Sequence, residues 1–181
     1  MNGEVKRLKR ELQCEGAITN YYKDTVELPN GKTAVWDCVG HNGAAACIAV
    51  LEDGRLLMVR QYRNALDRYT LEIPAGGLNP QEPTIDAAAR ELSEETGYVC
   101  GKIEWLITIR TTVAFCNEKI DIYLATDLRK SVQHLDEDEF VDVRPYTLSD
   151  LEKMIYAGEI EDSKTIAAIL AYKNKYRNMC E

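Results

Sequence analysis

The sequence predicts an α+β protein, not a regular alternation of strand and helix. Three observations carry this. Two hairpin signals stand in the first third of the chain, at Asn30-Gly31 and at Glu52-Asp53-Gly54, each between strand-forming runs. One helix with clear start and stop residues follows a glycine-bearing loop in the middle. Strands then resume, and two helical segments close the chain.

Residues 18–27 and 32–40 read as strands around the turn Pro29 to Lys32. Residues 44–51 and 55–61 form the second hairpin, and a short strand at 69–73 leads into Gly76-Gly77. The helix spans 83–96, with Pro83 in its first turn and Gly97 just past its end. Strands follow at 103–109, 119–126 and 140–146, with Trp105 read as a core residue. Thr147-Leu148-Ser149-Asp150 is a capping box with Asp in the usual Glu position, and Gly158 closes that helix. The last helix starts near Asp162 and puts Ile166, Ile169 and Leu170 on one face. Residues 1–43 read as a β-rich extension and residues 44–181 as the main domain.

Composition narrows the function classes. With 181 residues, 45% of them hydrophobic, the chain can build one ordinary core. A formal net charge of −8 argues against a broad grip on nucleic acid, and an anionic substrate then needs local basic groups or a metal. The N-terminus has no apolar stretch of signal-peptide type, and the longest apolar run, Ala44 to Leu51, is too short to cross a bilayer. The expectation is a cytoplasmic protein with no membrane partner. The six cysteines form no CxxC pair and are expected to be free thiols, mostly small core residues. His41 and His134 are the only histidines, too few for a histidine zinc site or a serine-histidine triad, so chemistry falls to carboxylates.

The carboxylates concentrate on the central helix. Glu91, Glu94 and Glu95 are spaced i, i+3, i+4 and share one face, where each like-charged pair costs roughly 0.2–0.5 kcal/mol. On a helical wheel Ile85, Ala88, Ala89 and Leu92 form the core face, the glutamates a stripe about 120° away. Arg90 can pair with Glu94 at i, i+4. Two readings stand: a solvated acidic face, or a site for a hard cation, Mg²⁺ or Mn²⁺, that relieves the repulsion and bridges to phosphate oxygens. The preceding loop, PAGGLNPQE, has glycines that let backbone approach an ion, but no Gly-Lys-Ser/Thr, so it is not a P-loop.

Gly76, Glu82, Arg90, Glu91, Leu92, Glu94, Glu95, Gly97 and Tyr98 stand in the spacing G-x5-E-x7-R-E-U-x-E-E-x-G-U, where U is apolar. The stretch resembles the Nudix box. The resemblance implies a mixed-sheet α/β/α sandwich and hydrolysis of nucleoside diphosphates linked to another moiety. It implies Glu91, Glu94 and Glu95 as Mg²⁺ ligands, with the carbonyl of Ala75 as a further ligand and Glu94 also in the catalytic set. Glu82 and Arg90 would hold the loop or orient a ligand carboxylate.

Val59 to Arg63 (VRQYR), Leu71 to Leu78 (LEIPAGGL), Phe115 to Thr126 and the acidic run Asp136 to Phe140 resemble the ADP-ribose pyrophosphatase branch. The implied reaction is ADP-ribose plus water giving AMP and ribose 5-phosphate, on two metals, with a carboxylate outside the box taking the proton from water. Glu139 and Glu137 are the candidate bases; Glu118 is a base, a substrate contact or a plain surface residue. Arg63 would bind the diphosphate, with Arg60 second to it because strand alternation turns the two to opposite faces. Trp36 would stack on adenine across a homodimer interface formed by the N-terminal strands, or simply pack there. Glu72 would touch the ribose or the metal site, or brace the loop. Where this branch usually has Pro-Gly, the chain has Val113-Ala114, which implies a differently shaped turn on the base-recognition side. Two alternatives stay open: hydrolysis of another nucleoside diphosphate derivative, and a nucleotide-binding regulator without turnover, against which the intact glutamates argue.

Overall fold

The computed structural model describes residues 3–135 and 140–177. The chain divides into two compact units: Met1–Gly43 with Arg110–Lys119, and Ala44–Ile109 with Ile120–Glu181.

The first unit is an antiparallel sheet of β1 (Lys6–Glu15), β2 (Thr19–Glu27) and β3 (Thr33–His41), in that order. The hairpin between β2 and β3 turns where Asn30-Gly31 predicts it. β1 is an addition to the sequence reading. Its sequence KRLKRELQCE has no apolar period because every residue in it is exposed, so no buried face marks it as a strand. The segment 110–119 is stitched to the end of β3: Val39 N donates to Phe115 O at 2.6 Å, Asn117 N donates to Val39 O at 3.2 Å, and Asn117 Oδ1 accepts from His41 N at 2.7 Å.

The second unit is built on a mixed sheet in the order β12 (Asp142–Tyr146), β5 (Leu56–Arg63), β4 (Ala44–Val50), β10 (Lys119–Thr126), β9 (Lys102–Arg110), with β6 (Arg68–Glu72) on β5 and β7 (Ala75–Gly77) on β4. A two-stranded ribbon joins β8 (Tyr98–Val99) to β11 (Arg129–Lys130). Strands β4 and β10 are parallel, with Ile120 opposite Ala44. Because both faces of β4 are buried, its sequence is a continuous apolar run. Ala45, Cys47 and Ala49 face helix α1 (Thr84–Thr96), packing with Ala87, Ala88 and Leu92. Ala44, Ala46 and Ile48 belong to the opposite core, with Leu151 of α2 (Leu148–Tyr156) and Ala168 and Ile169 of α3 (Ser163–Tyr172). The result is the α/β/α sandwich expected. Small side chains on β4 and α1 let helix and sheet approach closely.

The helix ends follow local chemistry. Pro83 is the cap of α1, not a first-turn residue, because its ψ of 138° keeps it extended. Gly97 takes φ 68° at the other end, a left-handed conformation that favours glycine, and its N–H donates to Ser93 O. Thr147 and Asp162 cap α2 and α3 by accepting from Asp150 N and Thr165 N. No helix among the described residues is long and apolar enough to cross a membrane.

Two expectations about the core need correction. Trp105 is 55% exposed on β9, where its Nε1 donates to Thr108 Oγ1; the buried neighbour is Leu106. Only Cys47 among the described cysteines is buried. Cys14 is exposed, and Cys38, Cys100 and Cys116 are partly so, all as free thiols. Cys180 lies outside the described residues.

Strand β6 and helix α3 are joined by Thr165, fully buried, whose Oγ1 accepts from Ile73 N at 3.0 Å. Thr165→Val keeps the shape and strands that amide. It is expected to lower unfolding free energy by about 1–3 kcal/mol, the usual cost of a buried unpaired polar group. Urea denaturation giving an unchanged midpoint would remove Thr165 from the support of this loop.

Candidate active site

Helix α1 does not bury the face the wheel assigns. Ile85 is 38% exposed, whereas Glu91 and Glu95 are buried alongside Ala88 and Leu92; Ala89 is intermediate. The reason is the loop of β7, which lies against the helix and covers the carboxylates. A Cβ added to Gly76 would sit 2.1 Å from the carboxyl carbon of Glu91, so the Glu91 head group fills the space any side chain would need. Glu95 Oε2 accepts from Ala75 N at 3.0 Å.

Arg90 organises the rest. Its Nε and Nη2 form a fork on Glu82, at 2.8 and 3.0 Å. Its Nη1 donates to both Glu91 Oε1 at 2.6 Å and Glu94 Oε2 at 2.8 Å, and Nη2 also donates to Gly77 O at 3.0 Å. The guanidinium thus binds three carboxylates and the glycine loop at once. The Glu82 carboxyl is held down to about 2, first by Arg90 and then by the Asn79 N–H. Those carboxylates in turn raise the Arg90 pKa, so its charge is permanent.

Among the described residues no three acidic, histidine or cysteine side chains surround a single point. Arg90 draws Glu91 and Glu94 to itself, and Glu95 turns to Ala75 N. The donor set nevertheless fits a hard divalent cation: three carboxylates within one helical turn, set against backbone that a glycine holds open. Glu91, Glu94, Glu95 and the carbonyl of Ala75 are the groups that could hold one.

A second ionic cluster lies where β5 and β6 meet α3. Glu72 is 2% exposed and accepts four hydrogen bonds. Arg63 Nε and Nη2 approach at 2.7 and 2.6 Å, Thr70 Oγ1 at 2.6 Å, and Lys164 Nζ also donates. Burial alone would raise the Glu72 pKa, but Arg63 and Lys164 outweigh it and hold it down to about 2. With every acceptor position filled, Glu72 braces the strands ahead of Pro74-Ala75. The Arg63 pKa is raised, first by its hydrogen bonds to Glu72 and to a lesser degree by the charge of Glu95. Arg60 turns away, stacking at 4.1 Å over the Tyr69 ring, as alternation along β5 requires.

Trp36 and Glu118 belong to the first unit. Trp36 is 49% exposed on β3. Glu118 is held from two sides, by Thr111 Oγ1 at 2.6 Å and by His41 Nε2 at 3.7 Å, while Gly43 N donates to His41 Nδ1. Glu137 and Glu139 lie outside the described residues. The chain approaching them is fixed to the end of α1: His134 N donates to Glu94 O at 3.1 Å, and Gln133 Nε2 donates to Glu95 O at 2.5 Å. Lys164 and Thr165 carry no signal in the sequence, since each bonds a partner 92 residues away. Gln61, two residues before Arg63 on β5, was also missed; its Nε2 is buried with no partner among the described residues.

Comparison with known proteins gives the family. A model of the NUDIX domain matches residues 40–169, and the chain belongs to that family. It is a Nudix hydrolase similar to the ADP-ribose pyrophosphatase of Bacillus subtilis (strain 168), at 40% identity over 168 residues, 92% of this chain and 91% of the relative. A methanol dehydrogenase activator of Bacillus methanolicus is 43% identical over the same shares of both chains. A crystal structure of an ADP compounds hydrolase shares the fold with a TM-score of 0.87 at 20% identity, over 98% of this chain and 96% of that one.

The Glu72 carboxyl loses its proton far more readily folded than unfolded, so it contributes stability above about pH 4.5 that disappears as pH falls toward 2. The full contribution is on the order of 3 kcal/mol. In denaturant titrations, the stability gap between wild type and Glu72→Gln is expected to be constant above pH 5 and to shrink below pH 4. A gap that does not change with pH would contradict the ionised, doubly paired state. Gly76→Ala is expected to displace the Glu91 carboxylate and lower turnover about a hundredfold, the usual effect of an ångström-scale misplacement. An active, normally folded Gly76→Ala would separate the loop from the chemistry.

Proposed function

We propose that the chain hydrolyses the diphosphate of ADP-ribose or related nucleoside diphosphate sugars, releasing AMP and ribose 5-phosphate. The observation that carries this reading is the acidic turn of α1 seated against Gly76 and organised by Arg90. The 40% relative, an ADP-ribose pyrophosphatase covered over nearly its whole length, supports the substrate class.

Mg²⁺, or Mn²⁺ in its place, when held by Glu91, Glu94, Glu95 and the Ala75 carbonyl, would polarise the diphosphate and make a bound water more acidic. The rest falls to side chains. Arg63 presents its outer guanidinium edge to a phosphate oxygen. A carboxylate takes the proton from the attacking water, whose oxygen bonds to phosphorus as the bridging P–O bond breaks. Glu139 and Glu137 are the candidates, since the chain ahead of them is anchored beside Glu94 and Glu95; Glu118, oriented by Thr111 and His41, is the other. Trp36, exposed on β3, would stack on the adenine. The exposed strands of residues 1–43 suit a homodimer, and a cytoplasmic setting suits a free nucleotide substrate.

A second reading follows from the 43% relative: this chain, too, would act as an activator of a dehydrogenase. A third is hydrolysis of another nucleoside diphosphate derivative.

The test is product analysis with Mg²⁺ over a nucleotide panel. AMP and ribose 5-phosphate from ADP-ribose are expected, and Glu95→Gln is expected to lower kcat by about two to three orders of magnitude with little change in stability. Binding without turnover would turn the reading into a nucleotide sensor. Near-normal turnover in Glu95→Gln would take that carboxylate out of the metal site.

A further inference from the structure

Four charged side chains alternate in sign across the junction of α3 with β5 and β6. Asp162 Oδ2 accepts from Lys164 Nζ at 3.0 Å; Lys164 also donates to Glu72; Glu72 takes the Arg63 fork. Exposure falls from Asp162, 23% at the side chain, to a minimum at Glu72 and rises again at Arg63. The side chain of Lys164 is 10% exposed, that of Glu72 3%, and that of Arg63 40%. A buried ammonium is expensive unless it is paired, and this one is paired twice.

Arg63 commits Nε and Nη2 to Glu72, which leaves its Nη1 edge without a partner among the described residues. The charge balance decides how strongly that edge can attract an anion. With Lys164 present, Glu72 and Asp162 have two cations between them. Without it, Arg63 would be the sole counter-ion of two carboxylates and would be drawn inward.

We infer that Lys164 is a positioning residue: by neutralising Glu72 from the buried side, it fixes the outer edge of Arg63 for a phosphate oxygen of the substrate. This rests on the proposed reading of the site as a diphosphate hydrolase. Lys164 itself touches no substrate. It acts from α3, through Glu72, on a group of β5.

The test is a double-mutant cycle on the full chain, with Lys164→Met, Arg63→Met and the pair, read as kcat and KM for ADP-ribose. Lys164→Met is expected to raise KM about tenfold, the size of one weakened charge-assisted hydrogen bond, with kcat unchanged. Lys164→Arg, which keeps the charge, stays near wild type. In the Arg63→Met background the further loss of Lys164 leaves KM as it is, because the group it positions is gone. Lys164→Gln serves as the neutral variant should Lys164→Met not fold. A lowered melting temperature with unchanged KM, or a KM effect of equal size in the Arg63→Met background, would overturn the inference and leave Lys164 as a brace. If the wild type does not turn over ADP-ribose, the substrate reading fails by itself. The same cycle is then read as the Kd for ADP by calorimetry, with the same tenfold expectation and the same overturning results.

Discussion

Arg90 sits among three carboxylates and a backbone carbonyl, and the arrangement of the site follows from that. Glu91 and Glu94 would repel across one turn of helix, and Glu82 would be a free loop carboxylate. The guanidinium ties all three together with five hydrogen bonds, and one of these reaches Gly77 O in the loop. A lysine could not do this, since a compact ammonium cannot fork onto Glu82 while its other side serves Glu91, Glu94 and the loop. The acidic turn is therefore a strained group of charges made compatible with folding by one planar cation.

The sandwich places that turn. Alanines and Cys47 on the α1 side of β4 let the helix sit close enough for Glu91 to meet the backbone of Gly76, and β7 pairs with β4 at Ala44, Ala45 and Ala46. A larger residue at Ala45 or Ala87 would push the helix outward and separate carboxylates from loop. From the other face of the sheet, Thr165 and Lys164 of α3 hold Ile73 and Glu72, the residues just ahead of the loop. The loop is fixed from both layers, so its geometry depends on the whole unit as well as on the room that Gly76 leaves for Glu91.

Much of this is legible in the sequence, and what is not has a common cause. Hairpin turns, the span of α1, its Gly97 cap and the caps at Thr147 and Asp162 depend on neighbours a few residues apart, and local patterns expose them. The glutamate spacing and the Arg90 partner are equally local. The wheel misplaced Ile85, Glu91 and Glu95 because counting apolar residues assumes that carboxylates stay wet, whereas here a loop and a guanidinium cover them. β7 is three residues with two glycines, too short for a period of two to register. β1 buries nothing. Trp105 stands on the outer face of β9, whose inward position belongs to Leu106, and an aromatic residue in a strand carries no sign of which face it takes. Lys164 pairs with a residue 92 positions earlier, and no spacing rule reaches that far.

Electrostatics at long range cannot recruit the substrate proposed for this chain. At a formal net charge of −8 the mean field opposes a diphosphate. That field is screened beyond roughly 8 Å at physiological salt, so what an arriving phosphate meets is set by the nearest few side chains. In the acidic turn, the positive charge of Arg90 is already divided among three carboxylates. Arg63, 40% exposed at its side chain, is the cation that the proposed function sets before the anion, and a buried lysine pairs with the same glutamate from the other side. On the reading proposed above the two clusters divide the work: one gathers negative charge for a divalent ion, and the other offers a positive edge to the anion.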